Sequence, residues 1–177
     1  MMIRNIIKEI YYHKIKKMSH MEYRIFHLKR VGMNIGDDCW IFSDDLETNE
    51  SYLVTIGDGV MISPKVTMLT HDASASYYLT DASDLFGKVQ IGNKCFIGYG
   101  AIILPGVTIA DNCIIGAGSV VTKSFNSPGS VIAGNPARIV CTIDQLKEKN
   151  QKYSLNTWNQ INKKDYLLNH VDRFLKK

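Results

Sequence analysis

Aliphatic or methionine side chains recur at every sixth position through the middle of the chain. These positions are Ile35, Ile41, Ile56, Ile62, Met68, Ile91, Ile97, Ile103, Ile109, Ile115 and Val121. The positions one and four residues later are mostly small, as with Gly92 and Cys95 after Ile91. An amphipathic helix has a period of about 3.6 residues and a strand a period of 2, so neither explains this pattern.

A period of six with small corner residues is typical of short strands joined by tight turns, in which three hexads form a triangular coil of about 18 residues. The large side chain of each hexad points inward and stacks on its equivalent in the next coil, about 4.8 Å away. The register breaks between positions 41 and 56 and between positions 68 and 91. We therefore expect residues 43–52 to bulge from the coil and residues about 73–88 to form a long external loop, a kind of segment that often carries function.

Helical patterns flank the repeat and are expected to cap its ends outside the coils. Near-helical spacing of apolar residues predicts a helix over residues 2–29. Thr142 to Gln145 has the sequence of a capping box, and a second amphipathic run spans residues 167–175. The predicted organisation is a basic helical segment (1–30), a β-helix domain (31–141) and a C-terminal helical segment (142–177).

The composition, 45% hydrophobic and 21% charged in 177 residues, predicts one globular domain. The net charge of +4 is too small to indicate a nucleic-acid binder. Residues 1–30 carry a net charge of +6 and the remainder carries −2, so we expect this basic segment to face solvent, to cap the coil or, if the acceptor is membrane-bound, to contact anionic lipid. The four cysteines lack C-x-x-C spacing, and no signal peptide or membrane span is recognisable, so we expect a cytoplasmic chain with free thiols.

Three stretches carry a more specific signal: VTIGDGVMISPKVTMLTHD (54–72), VQIGNKCFIGYGAIILPGVTIADNCIIGAGSVVTKS (89–124) and VIAGNPARIV (131–140). In order and spacing they resemble the hexapeptide-repeat acyltransferases, especially the sugar O-acetyltransferases, over roughly residues 31–142. The resemblance implies an all-β core formed by a left-handed parallel β-helix, assembled as a homotrimer that binds acetyl-CoA between subunits. General connection rules favour right-handed crossovers, so the left hand is implied by the resemblance alone.

His71 is the one histidine within the predicted coils. The resemblance implies that it is the catalytic base, because a neutral imidazole can take the proton of a sugar hydroxyl near neutral pH. Its second ring nitrogen requires an acceptor, for which Asp72 is the candidate. Neighbouring side chains of an extended chain point to opposite faces, so Asp72 can instead hold the loop while a backbone carbonyl orients His71. A backbone N–H within Gly98–Gly100 is a candidate oxyanion donor.

The resemblance also implies the positions that bind acetyl-CoA. Tyr99, Ala117 and Thr122 are expected to offer backbone contacts to the pantetheine arm. Lys123 and Arg138 are expected near the phosphates, which favour fixed positive charge.

The acceptor site departs from the pattern of relatives that act on simple galactosides, which have an Asn where this chain has Ser43. We therefore expect a different acceptor, with Ser43, Asp44 and Asp45 as candidates to bind sugar hydroxyls. Three aromatic residues of the external loop, Tyr77, Tyr78 and Phe86, either stack on a pyranose or pack on the coil or a neighbouring subunit.

Together these features predict an acetyl-CoA-dependent O-acetyltransferase of a sugar hydroxyl in surface polysaccharide or lipopolysaccharide biosynthesis, without a metal. An N-acetyltransferase of an amino sugar or small amine and a noncatalytic scaffold remain alternatives. The same fold also builds zinc hydratases resembling carbonic anhydrase, but those require three imidazoles and the coils supply one.

Overall fold

The computed structural model describes residues 17–46 and 48–175 of the chain. In this part of the chain, short parallel strands stack into coils with three faces, here called face 1, face 2 and face 3. Face 1 contains β1 (Asn34–Ile35), β3 (Val54–Ile56), β8 (Val89–Ile91) and β11 (Thr108–Ile109). Face 2 contains β2 (Trp40–Ile41), β4 (Met61–Ile62), β9 (Phe96–Ile97), β12 (Ile114–Ile115), β14 (Ser130–Gly134) and the antiparallel β15 (Ala137–Thr142). Face 3 contains β5 (Thr67–Met68), β10 (Ile102–Ile103) and β13 (Val120–Val121).

The predicted inward column is the core of the molecule. All eleven repeat positions are at most 4% exposed, and equivalent positions are paired between coils, as Ile62 is with Ile97. Because each strand alternates inward and outward side chains, a two-residue strand contributes one core residue and one surface residue. Cys39, Cys95 and Cys113 are buried free thiols in the small-residue column, and burial raises the pKa of Cys95 to about 11.

Both predicted register breaks are insertions that leave the coil at its corners. After Ile41 the chain departs from the coil and returns through a 3-10 helix, Ser51–Leu53, that leads into β3. The second insertion contains an antiparallel hairpin of β6 (His71–Asp72) and β7 (Leu85–Phe86), with a 3-10 helix, Ala73–Tyr77, between them. The external loop is therefore more ordered than its sequence indicates.

The helix α1 (His20–Arg30) packs on the first coil through buried Leu28 and partly buried Met21 and Ile25. Ser19 and Glu22 form a capping box at its start. Residues 17–19 are not helical, so the predicted continuous helix over residues 2–29 is wrong there, and residues 2–16 lie outside the described residues.

At the other end, the predicted capping box at Thr142 starts α2 (Ile143–Asn150), and the chain continues through a 3-10 helix (Gln151–Tyr153) to α3 (Lys163–Leu168). The amphipathic run predicted over residues 167–175 is divided, because α3 ends at Leu168 and a 3-10 helix, Val171–Arg173, follows. Each helix among the described residues is too short or too polar to span a lipid bilayer.

The corner between faces 1 and 2 brings successive coils into close backbone contact. Asp111 Oδ1 accepts a hydrogen bond of 2.7 Å from the Asn93 backbone N–H. A Cβ atom at Gly92 would lie 2.4 Å from that oxygen and 2.6 Å from the Asp111 backbone nitrogen. Only glycine fits at this position without displacing the neighbouring coil.

We therefore expect Gly92→Ala to lower the free energy of unfolding by about 2–3 kcal/mol, because the added methyl group overpacks against backbone. Urea denaturation of the purified variant measures this loss. Gly100→Ala is the control, since a Cβ there meets open space and only the left-handed φ of +66° is unfavourable, which costs about 1 kcal/mol. Equal losses in the two variants would contradict the close-contact explanation.

Candidate active site

His71 lies where the chain turns from face 3 towards face 1 and enters the external hairpin. It is paired with Phe86 across β6 and β7, and the Gly87 N–H donates a 2.9 Å hydrogen bond to the Thr70 carbonyl at the base of the hairpin. The imidazole is 38% exposed, so one side of it contacts protein and the other is open to a ligand.

The carboxylate of Glu50, from the first insertion, contacts this imidazole. Its Oε2 lies 3.0 Å from His71 Nδ1 and accepts a 2.8 Å hydrogen bond from the hydroxyl of buried Thr70. Thr70 donating this hydrogen bond is the largest cause lowering the pKa of Glu50, and the His71 hydrogen bond lowers it further against the opposing effect of burial. Glu50 is therefore a carboxylate at neutral pH.

Asp72, the sequence candidate for orienting His71, has a different contact. Its Oδ1 accepts a 2.9 Å hydrogen bond from the Ser74 backbone N–H and caps the 3-10 helix that follows. This hydrogen bond lowers the pKa of Asp72. The structure thus corrects the expectation: the carboxylate that contacts Nδ1 is Glu50, and Asp72 holds the loop, as the alternation of side chains along an extended chain allows.

An exposed aromatic ring lies beside the imidazole. The centroids of His71 and Phe86 are 5.9 Å apart with the rings tilted by 44°, and Phe86 is 61% exposed. Tyr77 and Tyr78, also from the external loop, are exposed as well. The hairpin therefore presents apolar ring surface next to a titratable nitrogen.

Two of the three residues expected to bind sugar hydroxyls are engaged elsewhere. Ser43 is buried, and its hydroxyl donates a 2.8 Å hydrogen bond to the Val66 carbonyl and accepts one of 3.3 Å from the Asp45 N–H. Asp44 forms an ion pair with Arg24 of α1. Asp45 is exposed. Ser43 therefore ties the first insertion to the second coil, which corrects its expected role as a ligand of the acceptor.

Four of the five positions expected to bind acetyl-CoA lie along the two edges of face 3. Tyr99 and Ala117 occupy the edge shared with face 2 on adjacent coils, where the Gly118 N–H donates a 2.8 Å hydrogen bond to the Tyr99 carbonyl. Arg138 lies farther along face 2, on β15 opposite Ala133, and its guanidinium donates a hydrogen bond to the Ala137 carbonyl.

Thr122 and Lys123 directly follow β13 and lie on the other edge of face 3. His71 lies on the same edge, two coils away, just after β5. The Lys123 ammonium lies 5.8 Å from the centroid of the Phe125 ring. The structure thus brings His71, Thr122 and Lys123 to one edge and Tyr99 and Ala117 to the other.

Two of the proposed oxyanion donors are already used within the coil. The Gly98 N–H donates to the Ile115 carbonyl at 2.8 Å, and the Gly100 N–H donates to the Pro64 carbonyl at 3.1 Å. In the described ranges, no group of three His, Cys, Asp or Glu side chains is arranged to hold a metal ion.

Sequence reasoning missed Glu50 and Thr70. Glu50 lies 21 residues before His71 in an irregular segment, and no periodic pattern joins the two. The available signal was the register break itself, which places polar residues 43–52 beside the coil that contains His71.

The fold and the site define an acyltransferase built on hexapeptide repeats, and comparisons with known proteins agree. The bacterial transferase hexapeptide model (six repeats) matches residues 88–123. Protein CapG of Staphylococcus aureus is 41% identical over 80% of this chain and 86% of its own length. The galactoside O-acetyltransferase of Escherichia coli K12 is 34% identical over 71% of each chain. The putative colanic acid biosynthesis acetyltransferase WcaF of the same strain is 33% identical over 61% of this chain and 57% of its own.

Solved structures show the same similarity. A maltose O-acetyltransferase from Clostridium difficile 630 superposes with a TM-score of 0.57 at 29% identity, covering 77% of this chain and 87% of the other. A galactoside acetyltransferase in complex with coenzyme A gives 0.55 at 25% identity, covering 79% and 78%. A hexapeptide-repeat acetyltransferase from Vibrio cholerae complexed with acetyl coenzyme A gives 0.56 at 29% identity, covering 63% and 60%.

The chain belongs to the hexapeptide-repeat acyltransferase family. It is an acetyltransferase that uses acetyl-CoA as the acyl donor, and membership implies that its coils are left-handed.

The lowered pKa of Glu50 predicts how its contribution to stability depends on pH. Above the usual carboxyl value of 4.5 the side chain is ionised in the folded and unfolded states, so its stabilising contribution is complete there. As the pH falls through the lowered pKa of the folded state, this contribution is lost. We expect Thr70→Val, which removes the main cause of the lowering, to shift this loss to higher pH. Urea denaturation over a pH series measures the pH at which this stability is lost. An unshifted loss would contradict the assignment of Thr70 as the main cause of the lowered pKa of Glu50.

Proposed function

We propose that this acetyltransferase transfers the acetyl group of acetyl-CoA to a hydroxyl of a sugar or glycan, in the biosynthesis of a surface polysaccharide, with His71 as the general base. The observation that carries the proposal is the half-exposed imidazole whose Nδ1 contacts the Glu50 carboxylate. This contact leaves Nε2 as the ring nitrogen that can accept a proton. The sugar-directed names of several relatives support the class of acceptor.

The reaction requires one base. His71 Nε2 takes the proton of the acceptor hydroxyl as its oxygen bonds to the acetyl carbonyl carbon, and the carbon–sulfur bond of the thioester breaks. The proton on His71 then passes to the departing thiolate, so the imidazole returns to its starting state. Acetyl-CoA supplies the activated acetyl group.

The external hairpin is the proposed acceptor side of the site. Ser43 and Asp44 have protein partners, whereas Phe86 offers an exposed ring next to the base. An aromatic face suits the apolar face of a pyranose, which hydroxyl-binding groups alone do not recognise. We propose that Phe86, with Tyr77 and Tyr78, contacts the acceptor, and that Asp45 remains available for its hydroxyls.

The donor side of the proposed site is face 3 and its two edges. Thr67, Ile102 and Val120 are the outward residues of this face and form a half-buried surface between the edges. Tyr99, Ala117 and Thr122 border it, and Lys123 and Arg138 supply positive charge suited to the phosphates of acetyl-CoA. In this arrangement the thioester end of acetyl-CoA points towards the coil that contains His71.

The outer surface of face 2 supports the proposed homotrimer. Its outward residues form an apolar stripe across the coils: Trp40, Met61, Phe96, Ile114 and, on β15, Cys141. Trp40 and Phe96 are 49% and 39% exposed in the single chain. Face 1 has polar outward residues at the equivalent positions, such as Gln90. A contiguous apolar stripe on one face favours burial against further copies of the chain.

We expect His71→Ala to lower the rate of acetyl transfer to a hydroxyl acceptor on the order of 10²- to 10⁴-fold, because the base is removed. The measurement is thiol release from acetyl-CoA with a panel of sugars, nucleotide sugars, glycans and amines. His170→Ala, which removes an imidazole of the C-terminal segment, is the matched control. Full activity of His71→Ala would reject the assigned base, and preferential transfer to amines would favour N-acetylation instead.

For the assembly, we expect the wild-type chain to have the mass of a trimer by analytical ultracentrifugation and Phe96→Glu to dissociate it, because the new carboxylate would be buried at the interface. Gln90→Glu places the same charge at the equivalent outward position of face 1 in the same coil and is expected to leave the mass unchanged. A monomeric wild-type chain would contradict the assembly.

A further inference from the structure

The first insertion contributes a side chain to the corner where His71 lies. This segment leaves the first coil after Ile41 and approaches the end of the second coil, where Thr70 Oγ1 lies 3.3 Å from Thr48 Oγ1 and 2.8 Å from Glu50 Oε2. The Ser51 hydroxyl donates a 2.8 Å hydrogen bond to the Thr48 carbonyl and accepts one from the Thr48 N–H. The segment is thus held in place on both sides of Glu50.

The contact between Glu50 and His71 determines which ring nitrogen carries the proton. A single oxygen, Glu50 Oε2, accepts the hydrogen bond of the Thr70 hydroxyl and also contacts His71 Nδ1. An ionised carboxylate has no proton to donate, so the 3.0 Å contact requires the proton to lie on Nδ1. The neutral imidazole then has its lone pair on Nε2.

We propose that Glu50 is the positioning residue of this acetyltransferase, with Thr70 as the group that holds its carboxylate, and that together they maintain His71 as the Nδ1–H tautomer. The inference rests on the proposed role of His71 as the base. It assigns a function to the first insertion: this segment places a carboxylate beside the histidine of the next coil.

Burial and charge favour Glu50 over Asp72 for this role. The Glu50 side chain is 16% exposed and Thr70 is 1% exposed, so water competes little for the shared oxygen. Asp72 is exposed, and its carboxylate accepts the backbone N–H of Ser74. Hydrogen bonds to an ionised group are shorter and stronger than neutral ones, which suits a contact that must hold one orientation of a ring.

The first experiment compares Glu50→Gln with Asp72→Asn in the full-length enzyme. We expect Glu50→Gln to lower kcat at least about tenfold while the KM for acetyl-CoA changes little, because the amide can turn its NH2 towards Nδ1 and allow the other tautomer. Asp72→Asn retains a cap for the loop and tests the rival carboxylate, and its loss is expected to be much smaller. Thr70→Ser should retain the activity that Thr70→Val loses, since serine keeps the hydroxyl.

The second measurement does not depend on catalysis. The ¹⁵N chemical shifts of the His71 ring in histidine-labelled protein distinguish an Nδ1–H from an Nε2–H imidazole. We expect the Nδ1–H form in the wild type and an increased Nε2–H population in Glu50→Gln, with His71→Asn used to assign the signals.

The outcomes separate this inference from the proposed function. An Nε2–H imidazole in the wild type, wild-type kcat in Glu50→Gln or an equal loss in Asp72→Asn would each overturn the role of Glu50. If no acceptor is acetylated, the proposed function fails, and the ring spectrum alone decides whether Glu50 holds the tautomer. The inference is supported if Glu50→Gln shows both a shifted ring spectrum and a reduced kcat while Asp72→Asn shows neither change to the same extent.

Discussion

The structure depends on the stacking of one aliphatic side chain per face in every coil. Ile62 packs on Ile97, and Ile97 on Ile115, at the spacing of adjacent strands. Among the described residues, most of the largest fully buried side chains belong to this column, and it tolerates neither a slip in register nor a bulky corner residue. Extra residues can therefore enter only where the chain leaves one face and has not begun the next. The positions at which this protein acquires irregular structure are consequently few.

In the described coils, insertions occur at two of those positions, and the two insertions contact each other. The first leaves face 2 of the first coil, and the second leaves face 3 of the second coil; contact between them joins Glu50 and Thr48 to Thr70 and His71. Regular coils supply the rigid support, whereas the insertions supply groups that a six-residue repeat cannot hold. A site at this place combines the precision of stacked strands with the variability of loops, which is the usual arrangement for binding and catalytic residues.

The features that could be predicted from the sequence are those that depend on residues close together along the chain. The inward column is periodic and local, so all eleven positions could be assigned from spacing alone. The start of α1 was also readable, because Ser19 and Glu22 have the spacing of a capping box, although apolar periodicity favoured a longer helix. Glu50 could not be found this way, since its contact with His71 joins two irregular segments. Ser43 shows the same limit: its polar side chain is buried against a carbonyl 23 residues away.

The position of His71 also constrains how donor and acceptor can approach each other. His71, the proposed base, lies at one edge of face 3, and the residues proposed to bind acetyl-CoA continue along that face for about two coils, or roughly 10 Å. The Phe86 ring of the hairpin lies 5.9 Å from the imidazole, centroid to centroid, and the Glu50 carboxylate occupies Nδ1. In the proposed reaction the acceptor hydroxyl approaches Nε2, the ring nitrogen that Glu50 leaves open, and the thioester lies along the coils. On this proposal, variation in the hairpin changes the acceptor without disturbing the proposed donor surface, which belongs to the repeat.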